Sequence, residues 1–487
     1  YVTCRDWSEG WLNEGFATFM EHVWREKLLG KDEYDYGVKN DLSSYLSEAH
    51  GRYRRPIVCQ DYDAPLDLFD RHLYEKGATV VHMLRATLGD SVWRRGLRLY
   101  LERHAFGGVE TADLRRACEE VSGRNLAWFF DQWVHRGGHP EIKVSREWDQ
   151  DSKSLLVIVE QVHEADAVTP EAFRLPMTLE LAVGDRRLRL PIEIRQRKET
   201  IQIPLPSKPR YVALDPEHDL MKLMEFTRSE EELSYGLAES NFVLERIRCA
   251  RELASYGNEA AVQVLTRAAK KDRFWGVRLA AIASLGEIGA RHPGLVDRIA
   301  DLAKGQKPKV RRAVAWALGW IGGDDAIKHL RRMVRTEESN FNVGTALLGI
   351  ARSRRSEAFD LLRAELGRES HRDILRQLIF DGFVILKDAR AIPIILEYTQ
   401  PSFRNEAREA ATKALGKLGM PDERVETRLI ELVRDPWFRV RTAAARSLAR
   451  LKSARAEGAL RAALPNEPMD GVQSAIEGAL DDLRAGR

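Results

Sequence analysis

The stretch Val277-Arg278-Leu279-Ala280-Ala281-Ile282-Ala283-Ser284-Leu285-Gly286-Glu287-Ile288-Gly289 decides the architecture of more than half of this chain, because it comes back. Thirty-three residues on, Val310-Arg311 opens a run with Leu318-Gly319 and Ile321-Gly322 in the same places. The next step lands on Val343, with Leu347, Leu348 and Gly349 behind it. Further matches start near Leu375, at Ala407-Arg408 and at Val440-Arg441. Leu244 before the series and Val472 after it keep the register, which makes about eight units at a period near 33. One amphipathic helix cannot bury its apolar stripe alone. A fixed period of this length lets each unit cover its neighbour, and so implies an α-solenoid. Each unit reads as a helix, a short turn that often carries Asp and Pro, as in Asp435-Pro436, and then the Val-Arg helix.

These units resemble HEAT repeats of the short bacterial type, which implies a surface on the solenoid for a protein partner. Upstream of them the period changes. Ile142 and Val144, Leu155–Val159, Met177–Leu181, Leu188–Ile194 and Ile201–Leu205 are short β-prone runs separated by polar, Gly or Pro punctuation. They predict a small β-sandwich of about 85 residues, entered through Gly137-Gly138 and Pro140. Further upstream, Trp11, Leu12, Phe16, Phe19 and Met20, and then Val80, Val81, Leu84 and Leu88, fall at the offsets of amphipathic helices. The expectation is a multidomain, mainly α chain: a helical domain over 1–140, a β-sandwich over 141–227 and a HEAT-like helical repeat domain over 228–487.

Composition narrows the function classes. The chain has 487 residues, 44% hydrophobic and 31% charged, enough apolar material for more than one core and too much for a disordered chain. Lys and Arg total 77 against 74 Asp and Glu, a net charge of +3, so the total points to no nucleic-acid partner. No apolar run approaches the ~18–20 residues that cross a bilayer, which leaves no membrane role to expect. Cys4, Cys59, Cys118 and Cys249 are scattered and form no CxxC pair, against a disulfide framework or a zinc ribbon and in favour of a reducing, cytoplasmic setting. The chain opens on Tyr1 directly into motif-like sequence, which reads as a fragment of a longer protein.

The chemistry is concentrated in Trp7-Ser8-Glu9-Gly10-Trp11-Leu12-Asn13-Glu14-Gly15-Phe16-Ala17-Thr18-Phe19. Within it, Trp11-Leu12-Asn13-Glu14-Gly15-Phe16-Ala17 resembles the signature of the M1 family of zinc aminopeptidases, gluzincins with a thermolysin-like helical catalytic domain. In that family an HExxH helix gives two His ligands and the general base, and a Glu in an Asn-Glu-Gly context closes a site that keeps one position for water. The resemblance implies that Glu14 is the third zinc ligand. The family interval then puts both His ahead of Tyr1, and no HExxH occurs anywhere in the chain. The GxMEN motif that grips the substrate amine is expected upstream as well.

Leu73-Tyr74-Glu75-Lys76-Gly77-Ala78, sixty residues after Glu14 as counted to Tyr74, resembles the next family segment. It implies that Tyr74 donates a hydrogen bond to the oxyanion of the tetrahedral intermediate; Glu75 and Lys76 are read as structural. Trp128-Phe129-Phe130-Asp131-Gln132-Trp133 with Gly137-Gly138-His139-Pro140 resembles the family passage into its β-domain, with His139 read as a surface or turn residue. His22 and His72 are read as ordinary histidines, and Arg52-Tyr53-Arg54-Arg55 as a solvated loop. The resemblance implies a C-terminal part of a zinc aminopeptidase acting on peptide substrates, inactive by itself, with the repeat region capping the site. The alternative reading is a non-catalytic M1-like, HEAT-repeat interaction scaffold, or a related gluzincin with another substrate. Retention of both Glu14 and Tyr74 speaks for the enzyme.

Overall fold

Helices form where apolar residues recur one turn apart. In the computed structural model, which describes residues 1–485, α1 spans Trp11–Leu29, α2 Lys31–Gly51, α3 Gly77–Leu88, α4 Asp90–Arg103 and α5 Thr111–Ser122. Trp11, Leu12 and Phe19 of α1 and Val80, Val81, Leu84 and Leu88 of α3 are buried in one core with Tyr34, Trp93 and Leu114. A two-residue parallel pairing of β1 (Thr3–Cys4) with β2 (Gly108–Val109) anchors the first residues beside the start of α5. A short helix α6 (Ala127–Phe130) runs through a π-helical turn, Asp131–His135, towards the strands.

The strands are β3 (Glu141–Asp149), β4 (Ser154–Gln161), β5 (Leu175–Val183), β6 (Arg186–Ile194), β7 (Lys198–Pro204), β8 (Tyr211–Leu214) and β9 (Leu223–Phe226). They form a four-stranded sheet in the order β7-β4-β3-β9 and a three-stranded sheet in the order β6-β5-β8. Val157 and Val159 from one sheet and Leu179 and Leu181 from the other enter the same core. The five long strands coincide with the five runs visible in the sequence. The four-residue β8 and β9 do not stand out there, because their conformation comes from pairing with β5 and, in parallel, with β3.

Two further helices, α7 (Glu230–Glu239) and α8 (Val243–Glu252), follow the strands. Ser229 caps α7 reciprocally: its hydroxyl accepts from Glu232 N at 3.3 Å, and the Glu232 carboxylate accepts from Ser229 N at 3.0 Å. The Tyr211 hydroxyl of β8 donates to Glu245 Oε1 of α8 at 2.9 Å, and Arg228 pairs with the same buried carboxylate. These ties place α7 and α8 with the strands, and the first compact unit runs from Tyr1 to Tyr256.

In the second unit, Gly257–Arg487, the regular elements among the described residues are all helices. It comprises α9 (Glu259–Lys271), α10 (Trp275–Arg291), α11 (Val296–Asp301), α12 (Pro308–Ile321), α13 (Gly323–Thr336), α14 (Asn340–Arg352), α15 (Ala358–Ala364), α16 (Ile374–Leu386), α17 (Ala391–Glu397), α18 (Asn405–Leu418), α19 (Glu423–Leu432), α20 (Phe438–Arg450), α21 (Ala456–Ala463) and α22 (Asp470–Ala485). The repeating positions Val277, Val310, Val343, Leu375, Ala407, Val440 and Val472 open the even-numbered helices and are all at most 1% exposed. The arginine beside them has a function of its own. Arg311 forks onto Glu337 at 2.7 and 2.9 Å and donates to the Gln306 carbonyl at 2.8 Å. Arg441 repeats this with Glu467 at 2.6 Å twice and the Asp435 carbonyl at 3.0 Å. Each Val-Arg step therefore buries its valine and ties its arginine to the segment that leads into the next repeat.

Candidate functional site

Asp6 starts the decisive segment. Its carboxylate accepts from Ser8 N at 2.9 Å and so caps the single 3-10 turn, Trp7–Glu9, that leads into α1. Glu9 Oε2 accepts from Thr111 N at 3.0 Å and from the Thr111 hydroxyl at 2.5 Å, and Trp11 Nε1 donates to that hydroxyl at 2.9 Å. Asn13 Oδ1 accepts from Cys4 N at 3.1 Å. The Trp, Asn and first Glu of the motif thus fasten the start of α1 to α5 and β1, and leave Glu14 in the first turn of α1, partly exposed.

Tyr74 sits on a π-helical turn, His72–Lys76, that enters α3. Gly15 and Gly77 explain how it reaches Glu14. A Cβ on Gly15 would lie 3.0 Å from the Gly77 carbonyl carbon, and one on Gly77 would lie 3.1 Å from Gly15 Cα. The two backbones touch at this crossing, which only residues without a side chain permit. The Tyr74 phenol meets the Glu14 carboxylate there, and its pKa is raised above the ordinary value, by burial first and then by that carboxylate and its hydrogen bond. At neutral pH the phenol keeps its proton. Trp7 and Phe69 (ring centroids 5.9 Å apart), and Phe69 and Tyr74 (6.2 Å), continue the surface as an aromatic strip.

A buried clamp holds the turn. Asp70 Oδ1 accepts from His72 N at 2.9 Å and Leu73 N at 3.0 Å, as a helix cap does. Arg55 binds the same carboxylate at 2.7 and 2.9 Å, and the Tyr53 hydroxyl donates to it at 2.7 Å. Burial works to raise the Asp70 pKa, but the hydrogen bonds from His72 and Arg55 outweigh it and hold the carboxyl well below its usual range. Arg52–Arg55 is therefore not simply a solvated loop: Arg55 is built into the clamp, a role its neighbours in sequence do not announce. Glu75 and Lys76 are buried, and burial lowers the Lys76 ammonium to about 7.

The histidines separate. His22 is buried, with Nε2 2.5 Å from Asp41 Oδ2, away from the phenol. His72 is fully buried, stacks on Tyr53 and turns Nδ1 towards Asp70 at 3.3 Å, not towards its neighbour Tyr74. His139 contradicts the sequence reading outright: it is 1% exposed, because the Gly137-Gly138 turn carries it inward against Tyr45 rather than out to solvent. The four cysteines are free thiols. Among the described residues no helix is long and apolar enough to cross a membrane.

Residues 1–133 match the model of the peptidase family M1 domain, and residues 230–292, 277–343 and 392–481 match that of HEAT repeats. The tricorn protease-interacting factor F2 of Thermoplasma volcanium is 31% identical over 149 residues, 30% of this chain and 19% of that protein. The leucyl aminopeptidase of Saccharolobus solfataricus is 29% identical over 188 residues, 37% of this chain and 23% of that one. The puromycin-sensitive aminopeptidase of Caenorhabditis elegans is 28% identical over 298 residues, 56% of this chain and 31% of that one. The chain thus spans less than a third of the length of these relatives. The crystal structure of Legionella pneumophila aminopeptidase A in complex with aspartic acid resembles it with a TM-score of 0.67 at 16% identity, covering 99% of this chain and 64% of that one; the likeness is one of fold.

Proposed function

From a chain that is M1-aminopeptidase-like over residues 1–133 and carries HEAT repeats beyond them, we propose part of the catalytic centre of a zinc aminopeptidase that removes N-terminal residues from peptides. In this reading Glu14 is the third protein ligand of the zinc and Tyr74 the donor to the oxyanion. One observation carries it: two side chains sixty residues apart meet at a glycine-to-glycine crossing, where the carboxylate stays open to a ligand and the phenol keeps its proton.

A partly exposed carboxylate on a helix is an oxygen donor that zinc accepts. When bound, zinc supplies the Lewis acid that polarises a carbonyl and makes water nucleophilic near neutral pH. The remaining work falls to this chain's residues. Glu14 presents its oxygen from the first, well-anchored turn of α1. Tyr74 gives its O–H to the carbonyl oxygen as that oxygen takes on negative charge, with no reorganisation at that moment because Asp70 and Arg55 already hold its turn. Trp7 and Phe69 offer an apolar wall to a substrate side chain. A relative named a tricorn protease-interacting factor, together with the repeats, supports a protein partner on the second unit.

The chain contains no HExxH, so in this reading it is inactive by itself. An aminoacyl-naphthylamide assay tests this. The 487 residues alone give no turnover, and the gene product extended upstream through its HExxH does. In that longer protein Glu14→Ala abolishes activity, and Tyr74→Phe lowers kcat by about 10²–10³ with little change in KM. Turnover by the chain alone, or an upstream sequence without the His pair, overturns the proposal; the latter outcome returns the chain to a scaffold role.

A further inference from the structure

His139 is buried edge-on against the rings of Tyr45 and His50, and its two nitrogens have different surroundings. The Tyr45 hydroxyl lies 3.1 Å from the Gly138 carbonyl and 3.2 Å from His139 Nδ1. The carbonyl can only accept, so the hydroxyl proton goes to it, and the phenol oxygen then accepts from Nδ1–H. This fixes the tautomer: Nε2 of His139 carries a lone pair and no proton. Nε2 faces His50 Nε2 at 3.2 Å and Glu141 Oε1 at 3.9 Å. The lone pair and the carboxylate oxygen are both acceptors, too far apart for a hydrogen bond and with no proton of their own between them. A proton on His50 Nε2 would satisfy one of them and leave the other.

We infer that His50, His139 and Glu141 form a binding site for a divalent transition-metal ion of the zinc type, separate from the centre around Glu14. One ligand atom from each lies within 4.8 Å of the other two. Two nitrogens bound to one tetrahedral zinc at about 2.05 Å stand about 3.3 Å apart, close to the separation of the two Nε2 atoms. The Tyr45–His139 contact is the outer hydrogen bond that orients a metal-bound imidazole. The scaffold is fixed at both ends. His50 is on the last turn of α2, and His139 and Glu141 flank Pro140, whose carbonyl accepts from Leu223 N at 3.0 Å as β3 begins. Glu141 gives the compensating charge against Arg54 and Lys76, which lie near His139. The exposed edge of His50 opens the site to solvent and leaves the fourth position to water. The ion would staple the end of α2 to the first long strand. The neighbouring trio Glu48, Asp70 and His72 is a poor rival, since Arg55 already supplies its cation.

Titration of the 487-residue chain with Zn²⁺, and with Co²⁺ as the spectroscopic probe, tests the site. The expected result is one tight equivalent of Zn²⁺, a rise in Tm with Zn²⁺, and the visible d–d bands of four-coordinate Co²⁺. His50→Ala and Glu141→Gln each weaken binding at least about tenfold and remove those bands. Both residues are exposed enough to change without unfolding the chain, so either variant reads the site. Glu14→Gln leaves the binding as it was. Absence of Zn²⁺ binding, or binding that survives His50→Ala and Glu141→Gln but is lost with Glu14→Gln, overturns the inference and leaves a plain imidazole–imidazole hydrogen bond.

Discussion

Two glycine pairs, one in each unit, do the same physical work to different ends. Gly15 and Gly77 let α1 and α3 touch, and what they bring together is Glu14 and Tyr74. Gly319 and Gly349 let α12 and α14 touch, with a Cβ on Gly319 only 2.6 Å from Gly349 Cα, and what they bring together is one repeat and the next. The first unit is made of contacts that each occur once, between segments far apart in sequence. The second repeats one contact between neighbours, so its stability is close to a sum of local interfaces. The arginines show the same division: Arg55 serves one carboxylate that also caps a turn, whereas Arg311 and Arg441, on α12 and α20, make the same bridge in two different repeats.

The largest break in this comparison is Arg55→Ala. It leaves the Asp70 carboxylate buried without its cation, and removal of one partner of such a pair costs about 3–5 kcal/mol. Chemical denaturation is expected to show the whole first unit weakened. Arg311→Ala, at a bridge whose arginine is partly exposed, is expected to cost about 1–2 kcal/mol, with faster hydrogen exchange confined to α12 and its neighbouring helices. An equal, unit-wide response to both substitutions would erase the distinction.

Acid is an effect of the same order as the loss of Arg55. Burial, reinforced by nearby cations, lowers the pKa of His82 and of His218 to about 3. A folded-state pKa below the unfolded value of about 6.5 gives stability that is complete above pH 6.5 and is lost as pH falls towards the folded value. The pair contributes a slope of up to about 2.7 kcal/mol per pH unit over that window. Hydrogen exchange followed from pH 7 to 4.5 should therefore open residues 1–256 before the solenoid helices; simultaneous opening would sink this expectation.

Gly77→Ala is smaller: its Cβ meets backbone that cannot step aside, for about 1–3 kcal/mol. It should also lower the Tyr74 pKa in an ultraviolet titration, since the phenol moves away from Glu14; an unchanged titration would show that the crossing does not set the pair. The smallest effect is expected from Tyr74→Phe, within about ±0.5 kcal/mol in thermal unfolding, because Tyr74 is partly exposed and the Glu14 carboxylate that it meets is partly exposed as well. A large loss would make that oxygen structural.

The sequence by itself determined what is periodic or local. The interval from Val277 to Val310 and onward specified the solenoid, because every unit must bury the same stripe, and β-prone runs set off by polar, Gly or Pro punctuation specified the five long strands. The residues around Glu14 and Tyr74 were also legible as two motifs. Only the tertiary structure decided what depends on where distant segments meet: the approach of Glu14 to Tyr74, the Arg55–Asp70 clamp, the short strands β8 and β9, and the burial of His139 beside His50. Arg55 and His139 lie in polar stretches whose local pattern is that of exposed loops. Their burial is set by partners fifteen or more residues away, and no local propensity encodes a partner at that distance.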